Sequence, residues 1–454
     1  MRRGMAEQTV MFVSVLKWFL LATAVGAIVG ASTSFFLRLL DATSAATARI
    51  SLSYLLLPAA LFVSALLVRY LAPDAQGHGT EKVIEAIHRK SGRIPIQVVP
   101  VKLAATVITL AAGGSAGKEG PCAQIGAGLS SFFATLLRFD DRDRVKLVVC
   151  GISAGFASVF GTPIAGSIFG VEVLFVGSMM YSVLLPSFVA GITAYQVSAA
   201  LGVGYFQSPI GAMPPFSESL MLTVVAAGVF FGLCSVLLIE ILKLGAAASK
   251  RCRIWSPAKG LLGGGLLAGL ALAFSPLYLG LGIPAIEAAL RGETTPWYAF
   301  LLKPIFTSVT LNFGGSGGIV TPIFFIGSAA GSTFAQVFHQ SAPLFASIGL
   351  VSLLAGAANT PIAASILSVE LFGPAIAPYA TVACVISFLM TGHRSVYPSQ
   401  ILSLAKSSSL DVKLGQEIDA VQTSYRPREK SALGVLRAAA SALRRWTSRG
   451  DGAD

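Results

Sequence analysis

Apolar stretches fill the chain from Val10 to about Leu402, and they are broken by glycine and proline rather than by regular polar faces. The first stretch, VMFVSVLKWFLLATAVGAIVGASTSFFLRLL, starts at Val10 and is longer than the ~20 residues a helix needs to cross a bilayer. It lacks the short apolar core and cleavage site of a signal peptide, so the pattern predicts a retained, tilted helix. Later apolar segments are interrupted at AAGGSAGKEGP, VFGTPIAG, FGGSGGIVTP and GAANTPIAAS. In lipid, every backbone N–H and C=O needs an internal partner, and a broken helix is tolerated only inside protein or along a watery cavity. Repeated breaks therefore point to a transporter or channel rather than a simple bundle.

The breaks recur in register. KLAATVITLAAGGSAGKEGPCAQIG (102–126) aligns with KPIFTSVTLNFGGSGGIVTPIFFIG (303–327) at a constant offset of 201, with eleven of 25 positions identical. Lys102 matches Lys303, Thr106 and Thr109 match Thr307 and Thr310, and Pro121 matches Pro322. TPIAGSIFGVE (162–172) matches TPIAASILSVE (360–370) at eight of eleven positions. We read two homologous halves, about 10–200 and 215–406, within a transmembrane domain spanning 10–406. Residues 1–9 and 407–454 form short cytoplasmic ends in this reading. The expected fold is an all-α polytopic membrane protein, with two inverted-topology repeats of discontinuous, tilted helices meeting near the midplane.

Composition agrees with lipid as the solvent. Only 12% of residues are charged and mean hydropathy is +0.75, whereas soluble domains carry about a quarter charged residues. The net charge of +12 is gathered in HRKSGR (88–93), RFDDRDRVK (138–146), SKRCR (249–253) and the C-terminal tail. Loop Lys and Arg stay on the cytoplasmic side, so this charge records topology and not a nucleic-acid partner. The tail sequence SALGVLRAAASALRRW has the pattern of a basic amphipathic helix at a membrane surface. Five cysteines without paired spacing read as buried, reduced thiols. No metal or cofactor is expected.

The glycine-rich breaks mark helix N-termini at 117–121 and 318–322. A helix N-terminus presents unpaired N–H groups and about half a positive charge, which suits an anion. Glu119, between glycines at such a start, is an anion itself. It can fill the site when no permeant ion is bound and leave when protonated. Simple capping is a weaker reason to keep a charge at membrane depth. Ile319 and Val320 stand at the equivalent positions of the second half, so the gate belongs to one half.

With these residues in view, the chain resembles the CLC chloride channels and proton–chloride exchangers over roughly residues 10–406. Gly117-Lys118-Glu119-Gly120-Pro121 is similar to the family's G(K/R)EGP signature, and Gly318-Ile319-Val320-Thr321-Pro322 to its GxFxP element. Gly77-His78-Gly79 stands where the family has GSGIP, and Tyr397 where it has a central tyrosine. The resemblance implies a homodimer in a prokaryotic inner membrane, with one pore per subunit conducting chloride or a similar small anion. Glu119 would be the gating glutamate. Amides near Gly117, Lys118, Gly120, Val320 and Thr321 would line anion sites, and His78 and Tyr397 would flank the central ion. Lys102 would add positive potential. Glu172 and Glu370 would be structural, on helices that help form the dimer interface.

Three departures matter. His78 replaces a serine beside the central ion. Thr80-Glu81 stands where the motif continues Ile-Pro, and Val320 replaces Phe. Val173 occupies the position where exchangers usually carry an inner proton-transferring glutamate. This favours a passive channel gated by a protonatable glutamate over a proton-coupled chloride antiporter. Fluoride-selective relatives depart from the proline of GKEGP and carry an acidic residue in the GGIVTP element. Pro121 and Ile319 therefore favour chloride. The tail is too short for paired CBS-type nucleotide-binding modules. One further alternative is an intramembrane serine hydrolase, since Ser115 and Ser316 sit in GxSxG patterns. That pattern comes easily with 47 glycines and recurs in both halves, whereas a catalytic serine is single.

Overall fold

A computed structural model describes residues 2–206, 208 and 217–425, with side chains from residue 7 onward. The tail helix expected after residue 430 lies outside the described residues. Sixteen α-helices make up the described fold, and β structure is confined to four two-residue strands. The first half holds α1 (Arg2–Thr47), α2 (Leu57–Leu71), α3 (Gly79–Lys90), α4 (Val98–Ala111), α5 (Glu119–Leu136), α6 (Asp141–Phe160), α7 (Pro163–Glu172) and α8 (Leu184–Ala200). The second repeats that order with α9 (Glu218–Arg251), α10 (Ala258–Ala273), α11 (Ile283–Leu290), α12 (Ala299–Asn312), α13 (Val320–Val337), α14 (Ala342–Ala358), α15 (Pro361–Phe372) and α16 (Ala377–Met390). Helices α4 and α12 have 14 residues each, and α5 and α13 have 18 each. Five of the described helical spans, including Glu7–Thr47 and Glu218–Arg251, are long and apolar enough to cross a membrane. The expectation of an all-α, multi-pass membrane protein holds.

Local chemistry sets the boundaries. Asp140 caps α6 by accepting from the Asp143 N–H at 2.8 Å, and α7 and α15 both start on a proline at N1. Gly113 and Gly314 take φ of +98° and +103° where α4 and α12 turn back. Side chains disfavour that region, so the paired glycines are required. At Gly126 and Gly151 an added Cβ would run into the other residue's carbonyl oxygen, and Gly327 and Gly349 repeat the arrangement. The hairpins α5–α6 and α13–α14 can thus approach backbone to backbone.

The halves are stitched by reciprocal contacts. Glu172 at the end of α7 accepts from the N–H groups of Ile362 and Ala363 at 3.0 and 2.8 Å. Glu370 near the end of α15 accepts from Ile164 and Ala165 at the same distances. Each carboxylate therefore neutralises the exposed N–H groups and dipole of the other half's helix start. The Ser115 N–H donates to the Thr310 hydroxyl and the Ser316 N–H to that of Thr109, both at 3.0 Å. Ser115 and Ser316 hydroxyls meet Thr307 and Thr106. Both GxSxG serines are thus bound to threonines of the opposite half, not to a histidine.

After α16 the chain crosses back to the first half. Strand β2 (Ile401–Leu402) pairs in parallel with β1 (Phe175–Val176), in the register Phe175 to Ile401. Residues beyond 406 form a separate antiparallel pair, β3 (Leu410–Asp411) and β4 (Ser424–Tyr425), and Ile418 is buried against Val176 and Leu402 of the first pair. The Arg89 guanidinium clamps the Glu417 carboxylate at 2.7 and 2.5 Å, holding that carboxyl below its ordinary range.

Candidate anion site

The broken helices meet at one place. The Gly117 N–H donates to the Gly318 carbonyl at 2.7 Å and the Gly318 N–H returns a bond to Gly117 at 2.6 Å. A bridge between His78 and Gly317 brings in the start of α3. Helices α5 and α13 begin at Glu119 and Val320, inside the two windows that the sequence marks. Three helix starts, from both halves, therefore converge on one region.

Glu119 is 1% exposed, and its carboxylate does not cap its own helix. One oxygen accepts from the Val320 N–H at 2.6 Å, and the other from the Thr321 hydroxyl at 2.6 Å. The acid of the first half thus sits on the helix start of the second. A Cβ at Gly117 or Gly318 would collide with this carboxylate, so the glycines around it clear its seat. Chemically, the seat offers one amide and one hydroxyl donor to an anion in a water-poor place. That is what a small halide needs in exchange for its hydration shell.

Next to this seat two polar groups lack partners. The Tyr397 hydroxyl and His78 Nδ1 are both buried and make no hydrogen bond. Their rings lie 5.8 Å apart, centroid to centroid. Buried polar groups are otherwise nearly always bonded. A tyrosine O–H and a neutral imidazole N–H are both able to donate to an anion held between them. Gly120 belongs to the same wall: a Cβ there would reach the Gly318 Cα and the Gly79 nitrogen. Lys118 is half-buried at the cap position of α5 and makes no cap bond.

Lys102, expected to add positive potential, is fully buried and donates to the carbonyls of Ala75 and Gly77 at 3.2 and 2.5 Å. Lys303 does the same to Tyr278 and Gly280 at 3.1 and 2.9 Å. Both lysines thus tie down the loop that precedes α3 or α11. Since the halves share this contact and only one carries Glu119, positioning the loop around His78 is its visible task. Val173 is wholly buried, and its carbonyl accepts from Gln400 Nε2 at 2.7 Å. Gln400 was not singled out by sequence. It also donates to Ala358, while its oxygen accepts from Asn359 and from Ser395, whose hydroxyl receives the Tyr397 N–H. Gln400 therefore fixes the tyrosine loop. The available signal was a lone amide inside the short apolar run SQIL.

A model of the voltage gated chloride channel family matches residues 59–392. The chain belongs to this CLC family. A chloride/fluoride channel protein of Pseudomonas syringae pv. tomato is 38% identical over 408 residues, covering 88% of this chain and 90% of that protein. The voltage-gated ClC-type chloride channel ClcB of Escherichia coli is 29% identical over 346 residues, covering 70% of this chain and 79% of its own. Among solved structures, a CLC-type fluoride/proton antiporter superposes with TM-score 0.81 at 28% identity, over 86% of this chain and 98% of that one. A slow cyanobacterial Cl−/H+ antiporter superposes with TM-score 0.71 at 20% identity, over 82% of this chain and 94% of that one, a likeness of fold alone. The curated relatives are named as channels and the fluoride/proton neighbour as an antiporter, so these names do not separate the two modes.

Proposed function

We propose that the protein moves a small halide, chloride or fluoride, across the membrane in exchange for protons, with Glu119 as the moving gate. The observation that carries this reading is the seat of the Glu119 carboxylate on Val320 N–H and Thr321 O–H, both at 2.6 Å. An ionised acid competes with a halide for those donors. A protonated acid gains less from them and leaves. Anion occupancy and proton binding at Glu119 are then linked, which is the requirement for exchange. Tyr397 and His78 supply the unpaired groups for a second ion deeper in the path. Pro121 and Ile319 favour chloride, while the relative named for both ions and the fluoride/proton antiporter bring fluoride level with it.

The passive channel is the second reading, favoured by the apolar, buried Val173. Purified protein in liposomes loaded with chloride or fluoride separates the two. Halide and pH electrodes record efflux together, with valinomycin present and absent. Exchange predicts that halide efflux drives proton uptake against a gradient, and that Glu119→Gln abolishes the proton movement. Fast halide efflux with no coupled proton movement would establish the channel instead.

A further inference from the structure

Glu81 is left unused by the scheme above. It lies in the first turn of α3, three residues after His78. Its Oε1 accepts from the Ser399 N–H at 3.1 Å and the Ser399 hydroxyl at 2.5 Å. Its Oε2 is buried and has no partner. Burying an ionised oxygen without a donor is costly, and a proton on that oxygen removes the cost. Glu81 also lines a cavity of about 690 Å³, together with His78, Lys82, Lys243, Lys250 and Asp419. That cavity opens beside the basic stretch that ends α9 and beside the C-terminal segment, the side that the placement of Lys and Arg marks as cytoplasmic. Tyr397, two residues before Ser399, stands within electrostatic reach of both Glu81 and Glu119.

We infer that Glu81 is the inner proton-transfer residue, passing protons between the cytoplasmic cavity and Glu119 past Tyr397. This inference rests on the exchange reading. The step is a plain proton transfer. An O–H bond on Glu81 breaks, one forms on Glu119, and the Glu81 carboxylate is reprotonated from the cavity. Val173, which is apolar and buried, takes no part. The charged and titratable groups around Glu81 are Lys82, Glu85 and Arg89 on its own helix, His78 before it, Lys243 and Lys250 on α9, and Tyr397 and Asp419 after α16. Arg89 and the lysines favour the carboxylate, and Glu85 and Asp419 oppose it.

Full-length protein in liposomes tests this with chloride and fluoride in separate runs. In E81Q the number of protons moved per halide should fall at least about tenfold, and E81D should restore much of it. S399A removes the anchoring hydroxyl but keeps the acid, so its ratio should stay within about twofold of the parent. E81Q with the parent's ratio would overturn Glu81 and leave exchange standing. S399A losing the ratio as fully as E81Q would make Glu81 an anchor for the 395–400 loop and overturn the assignment. If E81Q aggregates, E81A is read the same way. Failure of both to fold makes Glu81 a packing residue, which also overturns it. A parent that moves halide without protons overturns exchange itself, and the inner relay with it.

Discussion

At residue scale, the gate is a competition for two donors. Hydrogen bonds to a charged group are worth roughly 1.5–3 kcal/mol each. Thr321→Val removes the hydroxyl that Glu119 accepts at 2.6 Å but keeps the Val320 amide. The ionised, seated acid should lose about that much, so a halide should displace it more readily and halide efflux at fixed pH should rise by about tenfold. Liposome efflux rates check it, and an unchanged rate would mean that Thr321 does not hold the gate. Lys102 and Lys303 make a contrasting pair. Lys303→Met leaves the Tyr278 and Gly280 carbonyls without their donor, and each orphaned buried group costs about 1–3 kcal/mol. We expect a lower melting temperature in detergent for both Lys→Met variants. Altered halide selectivity in K102M with unchanged melting would return Lys102 to an electrostatic role.

At the scale of elements, the same chemistry is used twice. Glu172 and Glu370 each lie near the end of one helix and neutralise the start of its counterpart. A carboxylate at a helix N-terminus contributes about 0.3–1 kcal/mol at the surface and up to ~2 in partly buried geometry. Glu172→Gln and Glu370→Gln should each lower stability by about 1–2 kcal/mol while leaving the halide-to-proton ratio unchanged. Thermal unfolding and the liposome assay read the two effects separately, and a changed ratio would place these acids in the path. Sequence was informative about these elements where they repeat. The recurrence of TPIA and GGS motifs in order marked the helix starts, because a break at membrane depth needs glycine or proline. It was silent about pairing: nothing in the motif spacing says that Glu172 reaches Ile362 rather than its own helix.

For the whole molecule, residues 401–425 pack as part of the fold. His393 Nε2 accepts from the Lys406 N–H at 3.1 Å, while the Lys406 ammonium donates to Asn359 and to the Phe388 carbonyl, both at 2.6 Å. Burial, followed by the charges of Lys406 and Arg394, holds His393 below its ordinary value of 6.5. A histidine whose folded pKa is depressed favours the folded state when neutral. Unfolding takes up a proton, so this seat weakens as pH falls below about 6.5. The Arg89–Glu417 clamp stays ionised over this range, because the guanidinium holds that carboxyl below its ordinary value, and the pair is partly exposed and worth little. Hydrogen exchange over residues 401–425 should therefore be faster at pH 5 than at pH 7.5, beyond the intrinsic change. Equal protection after that correction would show that the seat does not depend on the neutral imidazole.

Local sequence was enough to establish the solvent, the duplication and the position of the helix starts. These follow from local rules: apolar length sets the span, and glycine and proline set the breaks. It also placed Glu119 at a helix start, because a lone acid between glycines in an apolar chain has few other reasons to persist. Which helix that acid serves becomes visible in the folded chain. Glu119 lies on α5, yet its donors are on α13, 201 residues further along. The same holds for Lys102, a loop anchor with no access to the interface, and for Gln400, which ties the tyrosine loop to Val173. Glu81 is the sharpest case. In sequence it is one more charge on an amphipathic helix, and only the packing of α3 against the 395–400 loop leaves one of its oxygens buried without a donor. Burial and partnership are properties of the folded chain, since they depend on residues brought together across both halves.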